Sequence, residues 1–284
     1  MSADNTPMIE HWNGPAGDSW RRHQERLDVM LTAFSDAALR AAGARPGERA
    51  LDVGCGAGAT TLALARSVQP GGAVVGVDVS APLLERAKER AAAEGLAVEL
   101  RRGDAGSEPL GEAYDLVFSR LGVMFFADPV AAFRHLRAAC KPGGRLAFVC
   151  WRAAADNDWV ALPVRAVRQL LPPAPPPDPT APGAFSFGDR GRVLAILEAA
   201  GFHAAAVDPF DAPLQFGRGD TREAAIDDAV AQAAELGPVT RLLAGQDEDV
   251  RRRATAAVRA AFAAKAGPDG VVIAGAAWIV TARA

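Results

Sequence analysis

The chain has 284 residues and a mass of 29.5 kDa, enough for a substantial core and, at roughly 100–200 residues per domain, for one large domain or two modest ones. AVILMFWYC residues make up 50% of it and DEKR residues 23%, a balance that argues against wholesale disorder and against a fibrous protein. The formal charge of −3 gives no electrostatic reason for a polyanionic partner, nucleic acid included.

Cys55, Cys140 and Cys150 are odd in number and lack C-x-x-C spacing, so neither a disulfide framework nor a structural metal site is expected, and a reducing compartment suits the chain. Met1 to Pro15 carries acids, Asn and Gly where a secretory signal needs a basic start and an apolar run. No stretch approaches the ~18 consecutive apolar residues of a membrane span. The expectation is a soluble cytoplasmic protein with no membrane partner, either a monomer or a homodimer.

The N-terminal segment places His11, Trp12, Trp20 and His23 around glycines, followed by a helix to about Leu39. Two readings stay open: a flap over a pocket, with polar residues interrupting its apolar stripe, or a helix docked on a sheet with Trp12 and Trp20 as core anchors. From Arg49 to Trp151 short β-like runs alternate with helical ones, the pattern of a parallel sheet covered by helices. Ala50 to Val53 is a first strand closed by glycines, and Thr60 to Val68 is helical up to Pro70-Gly71-Gly72. Ala73 to Val77 is a second strand. Ser80 suits the cap of the next helix, Pro82 its first turn, and Gly95 ends it. Val98 to Arg101 and Leu116 to Ser119 are the third and fourth strands. Asp128-Pro129 starts a helix with an apolar face of Val130, Phe133, Leu136 and Cys140. Lys141-Pro142-Gly143-Gly144 reads as a stop and turn before a fifth strand, Arg145 to Cys150.

After Trp151 the rhythm loosens. Leu171 to Pro182 holds Pro172, Pro173, Pro175, Pro176, Pro177, Pro179 and Pro182, which suit a surface loop rather than a helix or central strand. Arg190 to Gly201 and Ala204 to Val207 resume a helix and a strand. Arg222 to Leu236 and Asp247 to Ala266 are helical, and Val271 to Thr281 is an apolar last strand.

The run Asp52-Val53-Gly54-Cys55-Gly56-Ala57-Gly58 follows a strand and opens a helix, where glycines let backbone N–H groups approach a ligand at a helix N-terminus. It also satisfies G-x-G-x-x-[GA], so a dinucleotide site must be weighed. The acids separate the two. Asp78 ends the second strand, where a carboxylate accepts both ribose hydroxyls for either cofactor. Asp52 has no role in the dinucleotide fingerprint, and Asp104, after the third strand, is placed to accept an adenine amino group. Three carboxylates without a nearby Arg repel a pyrophosphate and attract a cationic sulfonium with its ammonium group. Cys55 in this turn reads either as a reactive thiol or as a small buried residue, the latter favoured.

These residues resemble the class I S-adenosylmethionine-dependent methyltransferases. Asp52 to Gly58 matches their D-x-G-x-G-x-G, Asp78 their ribose acid, Asp104-Ala105 their adenine step, Tyr114-Asp115-Leu116-Val117 the run entering their fourth strand, and Lys141 to Gly144 the turn before their fifth. The resemblance covers roughly residues 45 to 152 and is closest to the ubiquinone and menaquinone methyltransferases. It implies an α/β, Rossmann-like three-layer sandwich, a seven-stranded mostly parallel sheet with an antiparallel last strand. Residues 1–44 then form a helical lid, 45–152 the cofactor-binding core, and 153–284 substrate-side insertions, helices and closing strands of the same domain.

The same resemblance implies S-adenosyl-L-methionine as cofactor. Gly54 and Gly56 would pass its methionine and ribose part, Asp52 would orient its amino-acid end, and Asp78 would bind ribose with Val79 beside the adenine. Asp104 and the Ala105 backbone would read the adenine edge. Ser119, Arg120 and Leu121 leave the fourth strand where such enzymes line the methyl-donor pocket. Cys55 lies within the turn, and Trp20, with Met30 a weaker second, is the lid's candidate cofactor contact. Arg120 departs from the apolar or amide residue expected, and its partner is the cofactor carboxylate, an anionic substrate or Asp128.

The reaction implied is in-line displacement of the sulfonium methyl by an N, O, S or C atom of a small acceptor, with a general base optional. His11 and His23 are the candidate bases, exposed lid histidines being the alternative. His135 is expected to be exposed and His203 structural. Trp151, Trp159, Phe185, Phe187 and Phe216 point to an apolar or planar acceptor if they line its pocket, and to core if they do not. Ser119-Arg120-Leu121-Gly122 stands where many nucleic-acid and protein amino-group methyltransferases carry Asn-Pro-Pro-Tyr, which again argues against nucleic acid. An NAD(P)-dependent oxidoreductase and a non-catalytic cofactor-binding protein are the competing functions.

Overall fold

The computed structural model describes residues 5–284 apart from 174 and 176. Of the proline-rich run, Pro176 therefore lies outside the described residues, and Pro172, Pro173, Pro175 and Pro177 lie outside regular structure. Three helices open the chain: α1 (Thr6–Asn13), α2 (Pro15–Arg22) and α3 (Gln24–Ala42). There follow β1 (Arg49–Val53), α4 (Ala59–Ser67), β2 (Ala73–Asp78), α5 (Ala81–Ala93), β3 (Glu99–Arg102), β4 (Tyr114–Arg120), α6 (Pro129–Ala139) and β5 (Cys140–Trp151). The remainder is α7 (Asp158–Arg168), α8 (Arg190–Ala199), β6 (His203–Gly217), α9 (Arg222–Leu236), α10 (Val239–Leu242), α11 (Glu248–Ala263), β7 (Ala266–Gly267) and β8 (Gly270–Arg283).

The sheet runs β3-β2-β1-β4-β5-β8-β6, with the two-residue β7 paired off β8. β1 to β5 pair in parallel and β8 lies antiparallel to β5, Arg145 opposite Arg283 and Trp151 opposite Ala277. The Rossmann-like α/β sheet implied by the resemblance is thus present, and the apolar run before Thr281 is its antiparallel strand. Central strands covered on both faces need apolar residues throughout; Leu116, Val117 and Phe118 of β4 and Phe148, Val149 and Cys150 of β5 are fully buried. α3 buries Leu27, Leu31, Phe34, Ala38 and Ala42, a helical stripe that Gly43 closes in the left-handed conformation at φ +55°.

Two elements depart from the sequence reading. Lys141 to Gly144 is not a stop before β5 but an irregularity inside it: Tyr114 pairs with Cys140 and Leu116 with Arg145. One residue of β4, Asp115, thus stands opposite four of β5, Lys141 to Gly144, and Gly143 at φ +75° absorbs the excess. Similarly, β6 extends well beyond Val207, through Pro209 and Pro213. It ends the strand order, and proline is tolerated on an edge where one side of the strand has no ladder to complete.

Two compact units divide the chain, one of Met1–Trp151, Pro179–Phe210 and Ala277–Ala284, the other of Arg152–Asp178 and Asp211–Ala276. In the second, Phe216 and Phe262 pack with centroids 5.3 Å apart. Its fully buried Asn157 both donates to and accepts from the Ala276 backbone at 3.0 Å. No helix among the described residues is long and apolar enough to cross a membrane.

Candidate cofactor-binding site

Three neighbouring parallel strands end in carboxylates. Asp52 lies one residue before the end of β1, Asp78 closes β2, and Asp104 lies two residues beyond β3. The glycine turn is held against β2, since the Gly54 and Cys55 N–H groups both donate to the Val77 carbonyl at 2.8 and 3.2 Å. Gly54 sits at φ +66°, and a Cβ there would stand 2.8 Å from the Gly122 Cα, so two backbones cross with no room for a side chain. Gly56, at φ +52°, has only Leu83 within 4 Å of a notional Cβ, so this face of the turn is open.

Asp78 is fastened by its own surroundings. Its Oδ2 accepts from the Gly56 N–H at 2.7 Å and its Oδ1 from the Ser80 N–H at 2.8 Å. Burial still pushes its pKa up, against these backbone donors and that of Val79. Asp52 is fully buried. Its Oδ2 accepts from the Thr60 and Thr61 hydroxyls at 2.8 and 2.7 Å, while its Oδ1 is buried with no hydrogen-bond partner. Desolvation raises its pKa to about 6, opposed by both threonines and by the nearby Arg120 charge. A buried carboxylate oxygen without a donor calls for a cationic or N–H-bearing ligand.

Asp104 accepts from the Gly106 N–H at 2.9 Å and from Ser107 at 3.2 Å, and also from the Asn5 side chain at 3.1 Å. Ala105 is buried beside it, and Val79 is half-buried with its carbonyl accepting from Asn13 at 2.9 Å. Ser119 is fully buried; its hydroxyl donates to the Val53 carbonyl at 2.7 Å and accepts from the Gly122 N–H at 3.3 Å, tying β4 to the glycine turn. Leu121 follows at φ +60°, a conformation that disfavours a residue with a Cβ, its N–H donating to Val149 at 2.9 Å. The Cys55 thiol is buried and its pKa is raised by desolvation, which matches the buried reading rather than the reactive one.

Several expectations are corrected. Arg120 does not pair with Asp128, which instead caps α6 by accepting from the Ala131 N–H at 3.0 Å; it lies against Asp28 at 3.5 Å and Ser35 at 3.4 Å. The turn is not free of arginine. Arg90 of α5 donates to the Ala57 carbonyl at 2.7 Å and pairs with Asp28 of α3 at 3.0 Å. Ser80 does not cap α5 with its side chain, because its hydroxyl donates to the Trp12 carbonyl at 2.7 Å. Asn13 supplies the cap, accepting from the Ala81 N–H at 3.0 Å. Phe187 and Phe216 are buried core, Phe187 among Phe133 and Phe148.

Trp12 anchors the N-terminal helices, edge-on to Trp20 at 5.5 Å, to Phe125 at 5.3 Å and to His11 at 5.4 Å. Trp20 is half-buried in this cluster; His11 is exposed, and the backbone of half-buried His23 ends α2 by donating to Ser19. His135 is half-buried, its ring Nε2 2.8 Å from the Glu108 carbonyl, and His203 is exposed at the start of β6. Sequence reasoning missed Thr60, Thr61, Asn5, Asn13, Asp28 and Arg90. Only the threonines carried a local signal, two hydroxyls directly after the glycine turn.

A parallel sheet with a glycine turn after β1 and carboxylates at successive strand ends defines a Rossmann-like protein with a nucleotide-type site. Residues 50–144 match the methyltransferase domain family. Relatives include Nocamycin O-methyltransferase of Saccharothrix syringae, 36% identical over 56% of this chain and 60% of its own length. Demethylmenaquinone methyltransferase of Bacillus cytotoxicus is 32% identical over 45% of this chain and 59% of its own. The chain spans under half the length of other curated relatives, 40% of a Streptomyces fradiae protein for example. In fold it resembles the YcgJ protein of Bacillus subtilis, with TM-score 0.57, 21% identity, and coverage of 89% of this chain and 98% of that one. Over residues 50–144 the chain is thus similar to methyltransferase domains, on a Rossmann-like fold that it shares with the YcgJ protein.

Proposed function

We propose that the protein transfers a methyl group from S-adenosylmethionine to a small acceptor. The observation that carries this is the orphaned Oδ1 of fully buried Asp52, two residues before a glycine turn whose Gly56 face is open, a carboxylate oxygen that lacks the donor a cofactor's ammonium group would supply. Asp78 keeps its two oxygens oriented through Gly56 and Ser80, leaving further lone pairs for ribose hydroxyls. Asp104 and the Ala105 backbone read the adenine edge beside Val79, and Gly54 and Gly56 let the chain approach without side chains. Ser119 holds the β4 end in place and Leu121 lines the donor pocket.

When bound, the cofactor supplies a sulfonium methyl that a nucleophilic N, O, S or C atom of the acceptor displaces in line, releasing S-adenosylhomocysteine. The chain's own part is positioning, since alignment at ~3–3.5 Å supplies much of the rate in such displacements. Trp20 and the helices around Trp12 exclude water from the donor, and His11 and His23 are the side chains to test as proton acceptors. An oxygen acceptor is the first to test, because the Saccharothrix relative is an O-methyltransferase and matches over half of this chain. The net charge of −3 supports a small organic acceptor over nucleic acid.

Thermal unfolding with S-adenosylmethionine, S-adenosylhomocysteine and NADH in parallel tests the reading, a ligand at 100 times its Kd adding about 2.7 kcal/mol to native stability. Upward shifts with the first two, abolished in Asp78→Ala, are expected. A shift with NADH alone overturns the proposal in favour of an oxidoreductase. Binding without transfer to hydroxyl, amine, thiol or carbon acceptors, followed by product mass, leaves a cofactor-binding protein instead.

A further inference from the structure

Arg120 is a cation without a strong partner. Its side chain is only 12% exposed at the end of β4, yet its hydrogen bonds are two long ones, to Asp28 Oδ1 at 3.5 Å and Ser35 Oγ at 3.4 Å, both from one nitrogen, Nη1. Asp28 is already served. Its Oδ2 accepts from Arg90 at 3.0 Å and from Gln24 at 2.5 Å, so Arg120 is the weaker of two cations on one carboxylate. A half-buried guanidinium whose hydrogen bonds to the chain all leave from one nitrogen keeps its other N–H groups for water or a ligand.

Its surroundings point to what completes it. β1 and β4 pair with Asp52 opposite Phe118, so Arg120 stands two residues beyond that partner on the adjoining strand; its charge opposes the effect of burial on the Asp52 carboxyl, and Asp52 presents the orphaned Oδ1. A buried anion with an open oxygen and a half-buried cation with open donors, at the ends of the paired strands β1 and β4, suit a zwitterion. Resting on the methyltransferase reading, we infer that Arg120 is the specificity residue for the carboxylate of the cofactor's amino-acid end, exchanging its loose hold on Asp28 for a charge-assisted fork on that carboxylate while Asp52 takes the ammonium. Leu121, held at φ +60° immediately after it, fixes the direction in which β4 ends. No bond is made or broken in this exchange. Arg90 remains on Asp28 and keeps that carboxylate neutralised when Arg120 leaves.

The experiment is calorimetric titration of the whole chain with S-adenosylmethionine and with its decarboxylated analogue, which keeps the sulfonium and the ammonium but lacks the carboxylate. Wild type is expected to bind the intact cofactor at least about tenfold more tightly. Arg120→Met is expected to lose about 10- to 100-fold for the intact cofactor and to bind the decarboxylated one within about twofold of wild type, so that the preference disappears. Asp28→Asn, which loosens the hold on Arg120, is expected to keep or raise the intact cofactor's affinity. Ligand-free melting checks that each variant folds, and if Arg120→Met does not, Arg120→Lys replaces it: the charge is retained and the fork lost, so a partial loss confined to the intact cofactor is expected. Equal weakening of both ligands marks a purely structural arginine and overturns the inference, as does unchanged binding of both. Failure of wild type to bind either ligand overturns the methyltransferase reading itself and the clamp with it.

Discussion

Around the glycine turn, contacts are short in sequence: Asp52 is held by Thr60 and Thr61, eight and nine residues on, and Asp78 by Ser80, two residues on. The N-terminal helices reach the neighbouring strand ends by long steps, Asn5 to Asp104 across 99 residues, Asn13 to Val79 across 66 and Arg120 to Asp28 across 92. The turn is pre-shaped by its own backbone, with Gly54 where no Cβ fits and Gly56 where φ is positive. The helices are held by individual side chains on carbonyls, N–H groups and carboxylates, each worth about 0.5–1.5 kcal/mol net. The first region should therefore fail as a unit when altered, and the second should yield contact by contact.

The largest expected effect is Asp78→Ala, which removes the acceptor of both the Gly56 and Ser80 N–H groups. Cofactor affinity should fall more than 100-fold by calorimetry; a loss under tenfold would break the assignment of Asp78 as the ribose acid. Next comes Asp52→Asn. With its folded pKa near 6 against 3.8 unfolded, Asp52 binds its proton more tightly in the fold, so it costs stability progressively as pH rises from about 4 to 6 and fully above. The Asn variant should be more stable than wild type at pH 7.5 without ligand, by on the order of 2–3 kcal/mol, and the gap should close toward pH 4. Its affinity for the cofactor should drop at the same time, so that stability and binding move in opposite directions.

Two glycines sharpen the contrast inside the turn. Gly54→Ala puts a methyl 2.8 Å from the Gly122 Cα and should cost about 2–3 kcal/mol in denaturant unfolding. Gly56→Ala meets nothing closer than Leu83 at 3.9 Å; it should cost about 1 kcal/mol for its positive φ while weakening cofactor binding far more. The smallest effect belongs to the N-terminal helices. Asn5→Ala removes one of two donors to Asp104 Oδ2, leaving that of Ser107, lowers stability by at most about 1 kcal/mol, and should tighten cofactor binding a few-fold by opening a lone pair of the adenine acceptor. Weaker binding would show that Asn5 helps to hold the cofactor.

The alternating strands and helices, the glycine turn, the acids at the ends of β1, β2 and β3 and the apolar last strand were all legible in the residues, the antiparallel direction of that strand only through the family resemblance. Each rests on local physics: an apolar run long enough for a strand, a glycine where φ must be positive, a carboxylate at a fixed step from both. The burial of Cys55 was legible for the same reason, as a small side chain in a turn packed on β2. What tertiary structure decided was every partner chosen across long separations. Nothing local to Arg120 says that Asp28 will stand beside it, nor that Arg90 will arrive at the turn. Ser80 had the chemistry of a helix cap and was drawn to Trp12, while Asn13 capped in its place. Pro209 and Pro213 forbade a central strand but not an edge one, and only the strand order made β6 an edge. Backbone conformation is set by near neighbours and so is written in the sequence; a side chain's partner depends on which helix faces lie together after packing, and that is known only once the chain has folded.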